Sequence, residues 1–219
     1  MVINNNKSKV MIFNQHRKYA CMPQLTLSGE GGEFLEVVES VKLLGVQLRS
    51  DLRWCDNTDY ICKRGYSRLW ILRRLKGLGA NLVELVDVYE KQIRSVMELA
   101  VPVWQPAITK QEQYQIERVQ KCAMYIILGD QYTKYSQALE IVQLETLEER
   151  RKKICENFVK KAAKHPKYMH WFSQKSKLTN SKTRKTRSDQ SKKYHPVQFR
   201  TNRYKNSPLP YLTELLNNM

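Results

Sequence analysis

Apolar positions change their period along this chain, and the change divides it. In the first fifty residues they come in short, partly β-branched runs: Val10–Phe13, an alternating Gln24–Leu27, Phe34–Val38 and Leu43–Leu48, with Ser28-Gly29-Glu30-Gly31-Gly32 between the second and third. Runs of this length bounded by glycine and serine predict strands, here a small antiparallel sheet over about residues 9–49. From Asp56 the spacing lengthens to three and four. A helix is expected over about Tyr60–Leu75, with Asp56, Asn57 and Thr58 offering N-caps and Gly77 and Gly79 stopping it. After Asn81, the stripe Leu82, Leu85, Val86, Tyr89, Ile93, Val96, Met97 and Ala100 predicts a second helix,, ended where Pro102 and Pro106 bracket Trp104. A third spans Gln111–Leu128, with Ile116, Val119, Ala123, Ile126 and Ile127 inward and Gly129 beyond it. A short helix follows at Lys134–Ile141. The last begins at Leu144 and runs to about Lys164, with Glu145, Glu148 and Glu149 early and Lys160, Lys161 and Lys164 late, as the helix dipole favours,. The fold class is therefore α+β, mostly α: a small antiparallel sheet, then a helical bundle.

Charge adds a third region. The chain of 219 residues carries a net +17. Residues 173–205 hold eleven Lys or Arg against Asp189 alone. From Ser173 to Lys193 hardly any large apolar residue occurs, so little burial offsets the ~1–2 kcal/mol per residue that backbone ordering costs, and the tail is expected to be disordered. Pro208–Leu212 is apolar again and suited to docking on the body. The organisation reads as 1–54, 55–172, 173–205 and 206–219. Such a balance favours polyanions, nucleic acid first and an anionic membrane second, because each neutralised phosphate releases counterions.

The candidate chemistry is sparse. Five cysteines without a Cys-x-x-Cys read as reduced thiols,. There is no signal-like apolar segment and no membrane span, so an intracellular protein of nucleus or cytoplasm is expected. His165, His170 and Cys155 have finger-like spacing but lack a second nearby cysteine, so no metal site is expected. Asp56 and Asp59 are read as caps rather than paired catalytic carboxylates. No phosphate-binding glycine loop or nucleophile motif occurs. Trp54, Trp70 and Trp104 have apolar neighbours and are expected in the core. What stands out is the predicted helix after Asp56: Lys63, Arg64, Arg68, Arg73, Arg74 and Lys76, with no acid between residues 60 and 76. Its face is either simply solvated or a grip on nucleic-acid backbone, with Tyr66 or Trp70 against sugars.

Several motifs in order carry a resemblance. Asn4, Lys7 and Ser8 stand where non-LTR (LINE-type) retrotransposon reverse transcriptases close the palm with Asn-x-x-Lys-Thr, here with Ser for Thr. Leu44-Gly45-Val46 resembles their primer-grip hairpin. Leu52-Arg53-Trp54, Ile93-Arg94-Ser95, Val103-Trp104, Glu117-x-x-Gln120-Lys121, Ile127-Leu128-Gly129, Leu144–Arg151 (Thr146 for Ser), Arg203-Tyr204 and Ser207-Pro208 resemble later family segments, so the likeness covers nearly the whole chain. It implies the rear of a palm in residues 1–54 and a thumb and connection in 55–172. The family's polymerase holds two metal ions on adjacent palm aspartates. None of the six Asp here (Asp51, Asp56, Asp59, Asp87, Asp130, Asp189) has an aspartate neighbour, and the chain begins after the point where the pair is expected.

The resemblance thus implies grip residues and no catalytic ones: Lys7, Lys9, Gly45, Lys63, Arg64, Arg68, Arg73 and Arg74, with Lys182, Arg184, Lys185 and Arg187 in the tail. It implies RNA and DNA template–primer as partners, magnesium only in an intact polymerase, and no polymerisation by this chain alone. The tail is a binding arm, an import signal or a linker. Two rivals remain: a polymerase completed by a separate upstream palm fragment, and a non-catalytic basic RNA- or DNA-binding protein from a decayed or co-opted element.

Overall fold

The computed structural model describes residues 8–13, 34–172 and 193–219. The strand expected at Gln24–Leu27 and the candidate residues Lys7, Lys182, Arg184, Lys185 and Arg187 lie outside the described residues.

The fold is α+β and mostly α; among the described residues the strands form two pairs, an antiparallel one as expected and a parallel one. β1 (Lys9–Val10) pairs in parallel with β2 (Glu36–Val37), Lys9 opposite Glu36. A parallel pair needs a long connection, and the stretch between them supplies one. The second pair is a hairpin: β3 (Ser40–Leu43) runs antiparallel to β4 (Val46–Arg49), Leu43 opposite Val46. Its two-residue turn has Leu44 at φ 50° and Gly45 at φ 89°, the double positive φ that matches the twist of the flanking strands. A Cβ on Gly45 would lie 2.9 Å from Leu99 Cδ2, so glycine also lets the hairpin sit against the helical body.

α1 spans Cys55–Gly77, starting earlier than its period suggested. None of the expected caps, Asp56, Asn57, Thr58 or Asp59, acts as one. Asp56 pairs with Arg49 of β4 at 3.2 Å, the Asn57 side-chain oxygen accepts from the Gln47 N–H at 3.2 Å, and Thr58 is buried. The first turn is thus spent on the hairpin. Further along, Gly65 brings α1 close to α5 (Lys110–Leu128): a Cβ there would lie 2.9 Å from Val119 Cγ1 and 3.4 Å from Met97 Sδ.

α2 (Leu82–Val88) opens with the Asn81/Glu84 capping box,. It passes through a wide π turn at Tyr89–Arg94 into α3 (Ser95–Met97). Leu85, Tyr89, Ile93 and Met97 are all buried. Steps of four drift on a 3.6-residue helix, and a wider turn brings them back into line. Of the predicted stripe only Leu82 is well exposed. Ala100 in the left-handed region then turns the chain into α4 (Val101–Trp104), where Trp104 is fully buried and donates to the Leu99 carbonyl at 2.8 Å.

Capping boxes at Thr109/Glu112 and Thr146/Glu149 start α5 and α7 (Leu147–Lys164), with α6 (Tyr135–Val142) between them. A buried relay ties the elements together: Tyr89 Oη donates to Gln120 Oε1 at 2.6 Å, and Gln120 Nε2 donates to the Glu145 carbonyl at 2.9 Å.

Residues 173–192, on which the expectation of a disordered tail rests, lie outside the described residues, and the structure is described again from Lys193. Asn217 grips Tyr194 twice, accepting from its N–H at 2.9 Å and donating to its carbonyl at 3.3 Å, and the Tyr194 ring is buried. α8 (Asn202–Lys205) leads into α9 (Pro208–Asn217), which packs on α7 and buries Pro210, Leu212, Thr213 and Leu215. Among the described residues, no helix is long and apolar enough to cross a membrane.

Candidate nucleic-acid interface

The helical period of α1 sorts its residues into two sides. Ile61, Gly65, Leu69 and Leu72 turn inward, and Lys63, Tyr66, Ser67, Trp70, Arg73 and Arg74 are exposed. The expectation that all three early tryptophans are core anchors fails for one of them. Trp54 and Trp104 are buried, whereas Trp70 is 61% exposed. The signal was available: Trp70 follows Leu69 directly, and a step of one residue rotates a helical side chain by about 100°, off the buried stripe.

The five cations expected on α1 as grip residues divide in the same way. Lys63, Arg73 and Arg74 share the outward side with Trp70, and among the described residues none of the three forms an ion pair. Arg64 lies on the flank toward the hairpin. Its Nη1 donates to Tyr60 Oη at 3.2 Å, and its guanidinium stands 5.5 Å from the Tyr60 ring centre, with Lys42 Nζ of β3 also over that ring at 4.8 Å. The Lys42 ammonium first, then the Arg64 charge, pulls the Tyr60 phenol below its ordinary pKa in spite of some desolvation. Arg68 is turned away altogether and donates to the Gln92 carbonyl in the π turn. Lys76 is likewise occupied, donating to the Ile126 and Ile127 carbonyls at 2.8 and 3.1 Å, where the C-terminal end of α5 favours a cation,.

The remaining candidates lie apart from this face. Lys9 pairs with Glu36 at 3.0 Å on the surface. Gly45 shapes the hairpin turn. Sequence reasoning missed Arg118, exposed on α5 and close enough to Tyr66 for its charge to be felt at the phenol. Burial is the main influence on Tyr66 and raises its pKa, with Cys122 next. Its position in α5, between the inward Ile116 and Val119, was the available clue.

Other sites offer less. A cleft of about 590 Å³ near the start of α1 is lined by Arg53 and Arg203 but also by Asp59 and Glu112, so its charges offset. Burial pushes the Cys62 and Cys155 thiols up to about 11 and about 12, which leaves them protonated and unreactive. Among the described residues, no three His, Cys, Asp or Glu side chains are grouped to hold a metal ion. No protein-family model, curated protein or solved structure matches the chain.

Proposed function

We propose that this chain is the C-terminal portion of a retrotransposon-type RNA-directed DNA polymerase that holds template–primer nucleic acid and does not polymerise by itself. The observation that carries the binding half is the outward side of α1, where Lys63, Arg73 and Arg74 stand exposed without a paired carboxylate among the described residues. Cations of this kind contact phosphates, which positions a nucleic acid without reading its sequence. The affinity they supply falls steeply with salt. The catalytic half of the reading rests on the order of family-like motifs and on the lack of neighbouring aspartates in the sequence. Two-metal phosphoryl transfer needs such a pair to clamp both ions.

The test is one preparation assayed twice. The purified chain is mixed with a DNA primer on an RNA template, magnesium and deoxynucleotides, and the same hybrid is titrated for binding. Salt-sensitive binding without primer extension is expected. Extension by the pure chain overturns the catalytic half, and failure to bind the hybrid at low salt overturns the other. A non-catalytic basic binding protein is the second reading, favoured by the same missing aspartate pair. An intact upstream frame encoding the pair decides for the first.

A further inference from the structure

We propose that the outward side of α1 is a stacking platform for single-stranded nucleic acid, with Trp70 as the residue on which an unpaired base lies and Lys63, Arg73 and Arg74 as its phosphate contacts. This deepens the reading of α1 as a nucleic-acid surface and rests on it.

The starting point is a cost left unrecovered. Leu69 and Leu72 on the same helix are almost wholly buried, while the much larger Trp70 is 61% exposed. Burying an aromatic of that size is among the larger gains a folding chain can make, and this indole forgoes most of it. Single exposed apolar residues are common, so what marks Trp70 is the set of cations around it. The neighbours indicate its chemistry. On an α-helix, residues three and four apart are adjacent, which puts Arg73 and Arg74 one turn beyond Trp70 and Tyr66 and Ser67 one turn before it. Lys63 lies two turns back, about 10 Å along the axis at 1.5 Å per residue. The exposed acid on this side is Asp59, a turn before Lys63, where it repels phosphate and marks one end of the platform. Arg118, exposed on α5, adds a positive charge that is felt at Tyr66.

An aromatic ring set among cations fits a particular form of nucleic acid. Inside a duplex each base face is covered by its neighbours, so an exposed indole finds nothing there to stack on and only the cations are used. An unpaired strand offers a free π-face at each base, and stacking on aromatics within a basic surface is how sequence-tolerant single-strand binders work. Trp70 therefore favours a template or displaced strand over the paired region, with little preference among sequences.

The test uses the full chain, the variants Trp70→Ala and Trp70→Phe, and the triple variant Lys63→Gln/Arg73→Gln/Arg74→Gln. The probes are a poly(dT) strand and an RNA–DNA hybrid. Trp70 is exposed, so matching thermal melts are expected for the two single variants. Trp70→Ala is expected to weaken poly(dT) binding by between about 5-fold and 150-fold, the range measured for one aromatic–base stack, with hybrid affinity and the salt slope on poly(dT) held. Trp70→Phe, which keeps a ring, is expected to recover most of the loss. Unchanged poly(dT) binding by Trp70→Ala, with the triple variant weakened on both probes, overturns the stacking proposal and leaves the cationic surface standing. Equal loss on both probes by Trp70→Ala also overturns it. If the triple variant binds both probes like the wild type, the underlying reading of α1 falls as well.

Discussion

The Arg68 guanidinium donates to the main-chain carbonyl of Gln92, joining α1 to the π turn. Two residues later Trp70 points to solvent. The run of cations on α1 is therefore not a uniform basic rod, because some of its charges hold the fold and others face outward.

That division predicts different consequences for similar substitutions. Arg68→Gln is expected to lower stability by about 1 kcal/mol, the usual net worth of one such hydrogen bond. It should change the salt slope of nucleic-acid binding by well under the ~0.9 that one neutralised phosphate contributes. Chemical denaturation paired with a salt titration checks both. A slope shallower by the full ~0.9 in Arg68→Gln would place that side chain on the ligand.

Gly65→Ala is expected to destabilise. On an exposed helix the change gains about 1 kcal/mol of helix propensity. Here the new methyl would lie 2.9 Å from Val119 Cγ1, and both Val119 and Met97 are fully buried, so the helices must move apart. Overpacking of this kind costs about 1–3 kcal/mol. The urea midpoint should fall; a rise would mean that α1 and α5 are packed loosely enough to admit a methyl group.

Leu44 is 92% exposed and holds φ 50°, so its side chain gains little contact for a backbone that costs about 1–2 kcal/mol for a residue with a Cβ. Leu44→Asn, the residue preferred at the first position of this turn, is expected to recover about 1 kcal/mol. Gly45→Ala should destabilise, since it combines φ 89° with a 2.9 Å approach to Leu99. Melting temperatures of the two variants should move in opposite directions.

Arg49 links the hairpin to α1 by pairing with Asp51 at 3.1 Å and Asp56 at 3.2 Å. Partial burial pushes both carboxyls up. For Asp51 the Arg53 N–H and the Arg49 guanidinium outweigh it, and for Asp56 Arg49 leads, so both lie below the ordinary carboxylate range. A depressed folded pKa contributes stability above the unfolded value, near 4 for aspartate, and that stability is lost as pH falls through the folded values. Arg49→Met should therefore melt below the wild type at neutral pH, and the gap should narrow below about pH 4. A gap that widens in acid would contradict the pairing.

Much of the body is legible in the sequence because it is helical and local. The period of α5 marks Ile116, Val119, Ala123, Ile126 and Ile127 as inward; all are buried except Ile126, which is half-buried. Asn81 caps α2 through a capping box. What the sequence conceals depends on distant contacts. The start of α1 lies earlier than its period suggests because Asn57 serves the Gln47 N–H, a partner ten residues away that no local rule connects. Lys9 and Glu36 pair in parallel across a long connection. Arg68 falls in the helical phase of Gly65 and Leu72, away from Arg73, but its bond to the distant Gln92 carbonyl is not readable from the sequence. Trp70 is different: its helical phase is readable and points outward, against the general preference of tryptophan for burial.

Whether α1 holds nucleic acid is decided by the salt dependence of binding to an RNA–DNA hybrid, comparing the full chain with Lys63→Gln/Arg73→Gln/Arg74→Gln. Substitution is cleaner than cutting the chain at Phe172, which would also remove α9 with its buried Leu212 and Leu215 and uncover the surface of α7 on which it packs. Any contribution from the basic tail is the same in both proteins and cancels. If the outward cations of α1 grip the hybrid, the log–log slope should become shallower by about 2 to 3, near 0.9 for each phosphate no longer neutralised. Superimposable lines for the two proteins would contradict that role for α1.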